Sequence, residues 1–237
     1  MSNNAAKGEN EFQLSAREIA AYIDHTLLKP EAAESQIADL CGEAAEYGFH
    51  AVCVNSYWVP LAAERLRCTD VTVCAVAGFP LGAMDSKAKG FEAARAVEQG
   101  AREIDMVINI GALKDKKYSV VEEDIKEVLR SSGEKVLLKV IIETALLTED
   151  EKIAASEIVR KSGAHFIKTS TGFSSGGATV EDVALMRSVV GPQMGVKAAG
   201  GIKNLDHALK MIAAGANRLG TSSGAAILSG SQVSGDY

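Results

Sequence analysis

The sequence predicts a closed parallel (β/α)8 TIM barrel in a single domain, on three observations. Eight short β-branched runs alternate with longer amphipathic stretches, several of those stretches end in the same glycine punctuation, and no Pro/Ser-rich linker divides the chain. A length of 237 residues also suits one barrel, which typically needs about 250. The structural rival is an open doubly wound sheet. That fold would usually carry a G-x-G-x-x-G turn after its first strand, and none is found there.

A polar leader is expected over residues 1–14, the barrel over 15–228 and a flexible, glycine-containing tail over 229–237. Within the barrel, strands are expected at 23–27, 51–54, 71–77, 103–108, 136–142, 165–169, 194–198 and 217–220. Stretches rich in Ala, Glu, Lys and Leu, such as 32–47, 85–99, 120–131, 149–161 and 180–189, read as helices. Gly48, Gly100, Gly163 and Gly215 stand where a left-handed turn would stop a helix and aim the chain back into the sheet. Thr148 precedes Glu151 in capping-box spacing, and Trp58 and Pro60 are expected to pack the start of a further helix.

Composition narrows the function. With 47% hydrophobic residues the chain can bury a sizeable core unaided. A formal charge of −6 argues against nucleic acid as the main partner, while leaving room for a local pocket that holds a small anion. The four cysteines form no C-x-x-C pair and no zinc-type cluster with histidine, and Cys53 and Cys74 sit in apolar runs as buried thiols would. No metal and no cofactor are expected. Neither a signal peptide nor a membrane span is recognisable, so a cytoplasmic setting is expected.

Charged residues inside apolar strands carry the chemistry. Lys139 lies in VLLKVII, Lys168 in HFIKTSTGF and Lys197 in MGVKAAGG, at equal intervals of 29 residues, about one βα unit. Equal spacing places the three at matching levels near the C-terminal mouth, with Asp105 of EIDMVIN on an earlier strand. One reading is a structural ion-pair network in which Asp105 and Glu143 neutralise the lysines. The other is an active site, where such clusters of ionisable groups concentrate. An ammonium about 5 Å from a second one, at an effective dielectric of about 20, disfavours its neighbour's protonation by about 3 kcal/mol. A neutral lysine can then attack a carbonyl, and the resulting iminium draws electrons from a carbon–carbon bond beta to it without a metal. Asp105 is the candidate for moving protons.

A second group of residues combines glycine and hydroxyl. Thr171 and Gly172 follow the Lys168 strand, Gly200 and Gly201 follow the Lys197 strand, and Ser222 and Ser223 follow the last strand. Loops after the last barrel strands commonly hold phosphate. Asp24 and Thr26, on the first strand, are candidates for the polar floor of the site. His25 has no Ser or Cys partner at a recognisable spacing, so a catalytic triad is unsupported.

FIKTSTGF, GVKAAGGI, EIDMVIN, IDHTLLKP and VAGFPLGA together resemble, in order, the motif set of the deoxyribose-phosphate aldolase family over residues 23–228. The resemblance implies that Lys168 forms the Schiff base, that Lys197 keeps it in its amine form and that Asp105 relays protons. It places the phosphate contacts on Gly172, Gly200, Gly201, Ser222 and Ser223. It further implies phosphosugar and aldehyde substrates and a homodimer. Tyr237 resembles the C-terminal tyrosine of some members, which implies a phenol able to fold over the mouth; a tail without a role is the alternative. Two departures stand out. Phe173 replaces a lysine that assists phosphate binding in some members, and Ser56 replaces the proline of an Asn-Pro pair. A Schiff-base aldolase for another phosphosugar and a non-catalytic phosphosugar-binding barrel are the competing expectations.

Overall fold

The structure, a computed structural model, describes residues 14–230. All but the last residue of the expected leader, the tail beyond residue 230 and Tyr237 with it lie outside the described residues. Eight parallel strands close into a barrel in sequence order: β1 (Ile23–Leu27), β2 (Ala51–Val54), β3 (Thr72–Ala77), β4 (Glu103–Val107), β5 (Leu137–Ile141), β6 (Phe166–Lys168), β7 (Gly195–Ala199) and β8 (Arg218–Thr221). Every expected strand is present, with boundaries shifted by at most two residues.

The helices are α1 (Ala16–Ala20), α2 (Glu34–Tyr47), α3 (Val59–Leu66), α4 (Ser86–Glu98), α5 (Ile110–Lys114), α6 (Tyr118–Ser132), α7 (Glu149–Ser162), α8 (Val180–Val190), α9 (Leu205–Ala213) and α10 (Gly224–Ser229). Their ends follow the local chemistry. Thr148 and Glu151 form the reciprocal capping box that opens α7, and Gly163 closes it at φ 86°. Gly48 does the same for α2 at φ 68°. Pro60 sits in the first turn of α3, where its missing N–H costs nothing. No helix among the described residues is long and apolar enough to cross a membrane.

Strand alternation separates two environments. In β4, Ile104 and Met106 join the apolar layer shared with the helices, while Glu103 and Asp105 bond charged partners inside the barrel. The interior is itself divided: Leu28, Cys53, Cys74 and Val76 form a small apolar cluster on the β1–β3 side, and buried charged side chains gather beside it.

Register corrects one expectation. Lys168 and Lys197 are paired neighbours on β6 and β7, but Lys139 pairs with Phe166, two residues before Lys168. The 29-residue spacing therefore does not put the three lysines at one level. Closing a barrel staggers the strands, so equal sequence intervals do not translate into equal heights. Lys139 lies deeper, directly beside its register partner Asp105.

Candidate active site

Seven charged side chains are buried together inside the barrel: Asp24, Glu103, Asp105, Lys139, Lys168, Lys197 and Arg218, none more than 5% exposed. Asp105 is the centre. Its Oδ1 accepts from Lys139 Nζ at 2.8 Å, and its Oδ2 accepts from Lys168 Nζ at 2.8 Å and Lys197 Nζ at 2.7 Å. Lys197 also donates to Asp24 Oδ2 at 2.5 Å, and Arg218 donates to Asp24 Oδ1 at 2.6 Å. Glu103 lies 2.6 Å from Lys139 Nζ and accepts from Arg218 Nη2 at 3.2 Å. Below it, the half-exposed His50 stands 3.4 Å from the Glu103 carboxylate.

This arrangement revises the like-charge expectation. Lys168 and Lys197 are close because one carboxylate oxygen holds both, so attraction through Asp105 acts together with their mutual repulsion. Burial alone would push Asp105 up, yet the three lysines hold it well below the usual carboxylate range. Burial would likewise push Lys197 down, and Asp105 and Asp24 instead hold it above the usual lysine range. Lys139 behaves as Lys197 does: against the same burial penalty, Asp105 raises it, followed by Cys74 and Glu103.

Glu143 bonds no lysine, contrary to the structural-network expectation. Its carboxylate accepts from Thr171 N at 3.2 Å and Thr171 Oγ1 at 2.5 Å, and burial pushes its carboxyl up. The anions that do neutralise the lysines beside Asp105 are Asp24 and Glu103. Glu103 had a signal in the sequence: it is two residues from Asp105 on one strand and so shares its face. Arg218, at the start of β8, carried a weaker signal, because charged residues at strand ends are usually solvated.

A cavity of about 480 Å³ opens above the cluster. Of the buried ammonium groups, Lys168 lines it, while Lys139 and Lys197 lie beneath. Thr171, Gly172, Gly200, Gly201, Ser222 and Ser223 all line it, as does Thr26. Thr26 donates its hydroxyl to the Asp24 carbonyl at 2.8 Å, which fixes the first strand's polar edge. Two glycines here are dictated by geometry. A Cβ on Gly200, which sits at φ 88°, would come within 2.9 Å of Gly177 Cα, and one on Gly220 would stand 3.1 Å from Lys197 Cε. Sequence reasoning missed Lys203, which brings a cation to the cavity wall three residues after Gly200. Phe173 packs edge-on against Phe79 at 5.3 Å instead of supplying charge.

His25 bonds Glu43 at 2.7 Å and packs against Phe49, away from any nucleophile. Cys53, Cys74 and Asp105 place possible metal-ligand atoms within 4.8 Å of one another. The donor set suits no cation, however, because both Asp105 oxygens already accept from ammonium groups and Lys139 Nζ lies 3.3 Å from Cys74 Sγ.

The fold agrees with what the chain is similar to. Residues 18–230 match the model of the DeoC/LacD family aldolases. A deoxyribose-phosphate aldolase of Halalkalibacterium halodurans is 59% identical over 94% of this chain and 100% of that protein. One of Thermococcus kodakarensis is 60% identical over 92% of this chain and 98% of its own length. Among solved structures, an aldolase called QR15 is 45% identical with a TM-score of 0.86, covering 90% of this chain and 95% of that one. A tetrameric deoxyribose phosphate aldolase from Aeropyrum pernix is 31% identical with a TM-score of 0.85, covering 91% of each. The chain belongs to the DeoC/LacD family of aldolases.

Proposed function

We propose that this chain is a Schiff-base deoxyribose-phosphate aldolase, cleaving 2-deoxy-D-ribose 5-phosphate reversibly to D-glyceraldehyde 3-phosphate and acetaldehyde in deoxyribonucleotide catabolism. The observation that carries it is Lys168, which lines the cavity while bonded to the Asp105 carboxylate beneath it. The Lys168 amine adds to the C1 aldehyde of the open-chain sugar, and the carbinolamine loses water to give an iminium. Removal of the C3 hydroxyl proton breaks the C2–C3 bond, releasing glyceraldehyde 3-phosphate and leaving the electron pair in an enamine. Protonation at C2 and hydrolysis then free acetaldehyde and restore the amine.

Asp105, with Lys197 on the same oxygen, is the group placed to pass protons during the addition and the loss of water. The glycine-lined walls around Gly172, Gly200, Gly201, Ser222 and Ser223 would hold the phosphate, with Lys203 adding charge. The negative overall charge supports a small-molecule substrate over nucleic acid, and a cytoplasmic setting suits that substrate. A homodimer fits the three-quarters exposed Tyr57, Leu81 and Phe91, and sedimentation would test it.

Borohydride reduction in the presence of acetaldehyde tests the chemistry. The expected product is an ethyl group on Lys168. Label mainly on Lys139 or Lys197 would reassign the nucleophile, and no label would end the Schiff-base mechanism.

A further inference from the structure

We propose that Arg218 is a positioning residue whose permanent charge makes Lys168 the surplus cation of the barrel interior, so that Lys168 is the lysine that yields its proton. The inference rests on the reading of Lys168 as the Schiff-base nucleophile.

Counting charge gives the first argument. Lys139, Lys168, Lys197 and Arg218 face Asp24, Glu103 and Asp105, four cations against three anions in one buried cluster. A low-dielectric interior penalises a net charge, and the cluster reaches neutrality by losing one proton from a cation. Arg218 cannot be the source, because a guanidinium stays protonated, and Asp24 and Glu103 hold it further in that state against the cost of burial.

Geometry says which lysine remains. Lys197 bonds two carboxylates, Asp24 and Asp105. Lys139 also contacts two closely, Glu103 at 2.6 Å and Asp105 at 2.8 Å. Arg218 spans Asp24 and Glu103. Lys168 alone of the four has a single carboxylate partner, Asp105, and it alone lines the cavity where a carbonyl arrives. Its proton is therefore the least held. Without Arg218, three cations would match three anions, and neutrality would require Lys168 to keep its proton.

Among the described residues no further carboxylate is in ion-pair contact with these four cations. Cys53 and Cys74, on β2 and β3, reach the cluster as one contacting pair: burial together with the Cys53 contact pushes the Cys74 thiol well up, and the contact with Cys74 draws Cys53 down. Glu143, after β5, bonds Thr171 and no lysine; burial pushes its carboxyl up, while Thr171 and the Lys168 charge act the other way. Lys203 lies on the outer cavity wall, and His50 meets Glu103 from below.

The experiment follows reductive trapping of acetaldehyde on Lys168 across pH in four variants. Arg218→Met should move the labelling profile alkaline, with labelling at neutral pH reduced at least about tenfold. Glu103→Gln should move it acid, because it adds to the cationic excess. The double variant Arg218→Met/Glu103→Gln keeps the wild-type excess and should return the profile close to wild type. Arg218→Lys should stay near wild type. If Arg218→Met does not fold, the comparison of Glu103→Gln with the double variant decides on the same terms. Superimposable profiles, or a double variant worse than either parent, would overturn the role of Arg218 while leaving the nucleophile assignment intact. Absence of label on Lys168 in the unaltered protein would remove both.

Discussion

Lys168 and Lys197 donate to one oxygen, Asp105 Oδ2, at 2.8 and 2.7 Å. Each is thus no farther from the other than about two hydrogen-bond lengths, with a carboxylate between them. Lys197 differs in having Asp24 as a second partner, and in lying beneath the cavity floor. The two ammonium groups therefore face each other across a single carboxylate oxygen.

Lys197→Leu should therefore lower turnover at neutral pH by about a hundredfold, and much less at alkaline pH. Losing this cation removes a like charge from beside Lys168, which then holds its proton more strongly. Asp24 keeps Arg218 as a partner, so the barrel should persist. A loss of equal size at every pH would assign Lys197 to direct proton transfer instead.

Most of this architecture was legible in the sequence, for local reasons. Strands such as EIDMV announce themselves by β-branched and apolar content, and glycine endings such as Ser162-Gly163 depend only on neighbouring backbone. What escaped depends on closure. The depth of Lys139 follows from the stagger between β5 and β6, which no residue in either strand encodes alone. Arg218 and Glu103 meet only because β8 and β4 face each other across the interior. Lys89, in the helical stretch SKAKGF, is fully buried where Gly90 lets α6 approach: a Cβ on Gly90 would meet Ser131 Oγ at 2.6 Å.

Lys89 gives a stability prediction separate from catalysis. Its Nζ bonds Asp124 Oδ2 at 2.5 Å and the Val107 carbonyl at 2.9 Å, away from the cavity. Asp124→Ala should destabilise the fold by about 3–5 kcal/mol by stranding a buried charge. The double variant Lys89→Met/Asp124→Leu should recover most of it. Denaturant midpoints measure both, and a double variant no better than Asp124→Ala would refute the buried-pair account.

Stability should also depend on pH in a defined direction. Asp24, Glu103 and Asp105 are held below the usual carboxylate range in the fold, so the unfolded chain binds their protons first. Their contribution is present above about pH 4 and is lost as pH falls further. His25, pushed down by burial, adds a gentler slope beginning below about pH 6.5. Lys139, Lys197 and Arg218 are raised, so their contribution is complete below about pH 10 and is lost only above it. Thermal midpoints should be nearly level from about pH 7 to 9 and fall steeply below about pH 4. Midpoints unchanged down to pH ~3 would contradict the ion-cluster account.

Turnover should survive exhaustive chelation. The iminium supplies the electron sink, and the oxygens of Asp105 are occupied by three ammonium groups. Activity abolished by EDTA and restored by zinc would defeat this expectation.

The last prediction concerns the phosphate. Gly201 and Ser223 lie on the loops after β7 and β8 and line the cavity together with Lys203. Gly201 sits at φ 77° with nothing within 4 Å of where a Cβ would stand, so a bulky side chain there would both strain the backbone and fill the space left for an anion. Gly201→Val alone therefore mixes two effects, and Ser223→Ala and Lys203→Met separate them, since neither demands a left-handed residue. Contacts remote from the breaking bond mainly hold and orient the substrate. All three variants should raise KM for deoxyribose 5-phosphate, about tenfold or more for Lys203→Met, with a much smaller effect on unphosphorylated deoxyribose. The ratio of kcat/KM for the two sugars is the quantity to measure, because backbone strain lowers both alike and drops out of it. Should all three variants leave that ratio unchanged while the fold stays intact, the phosphate binds elsewhere.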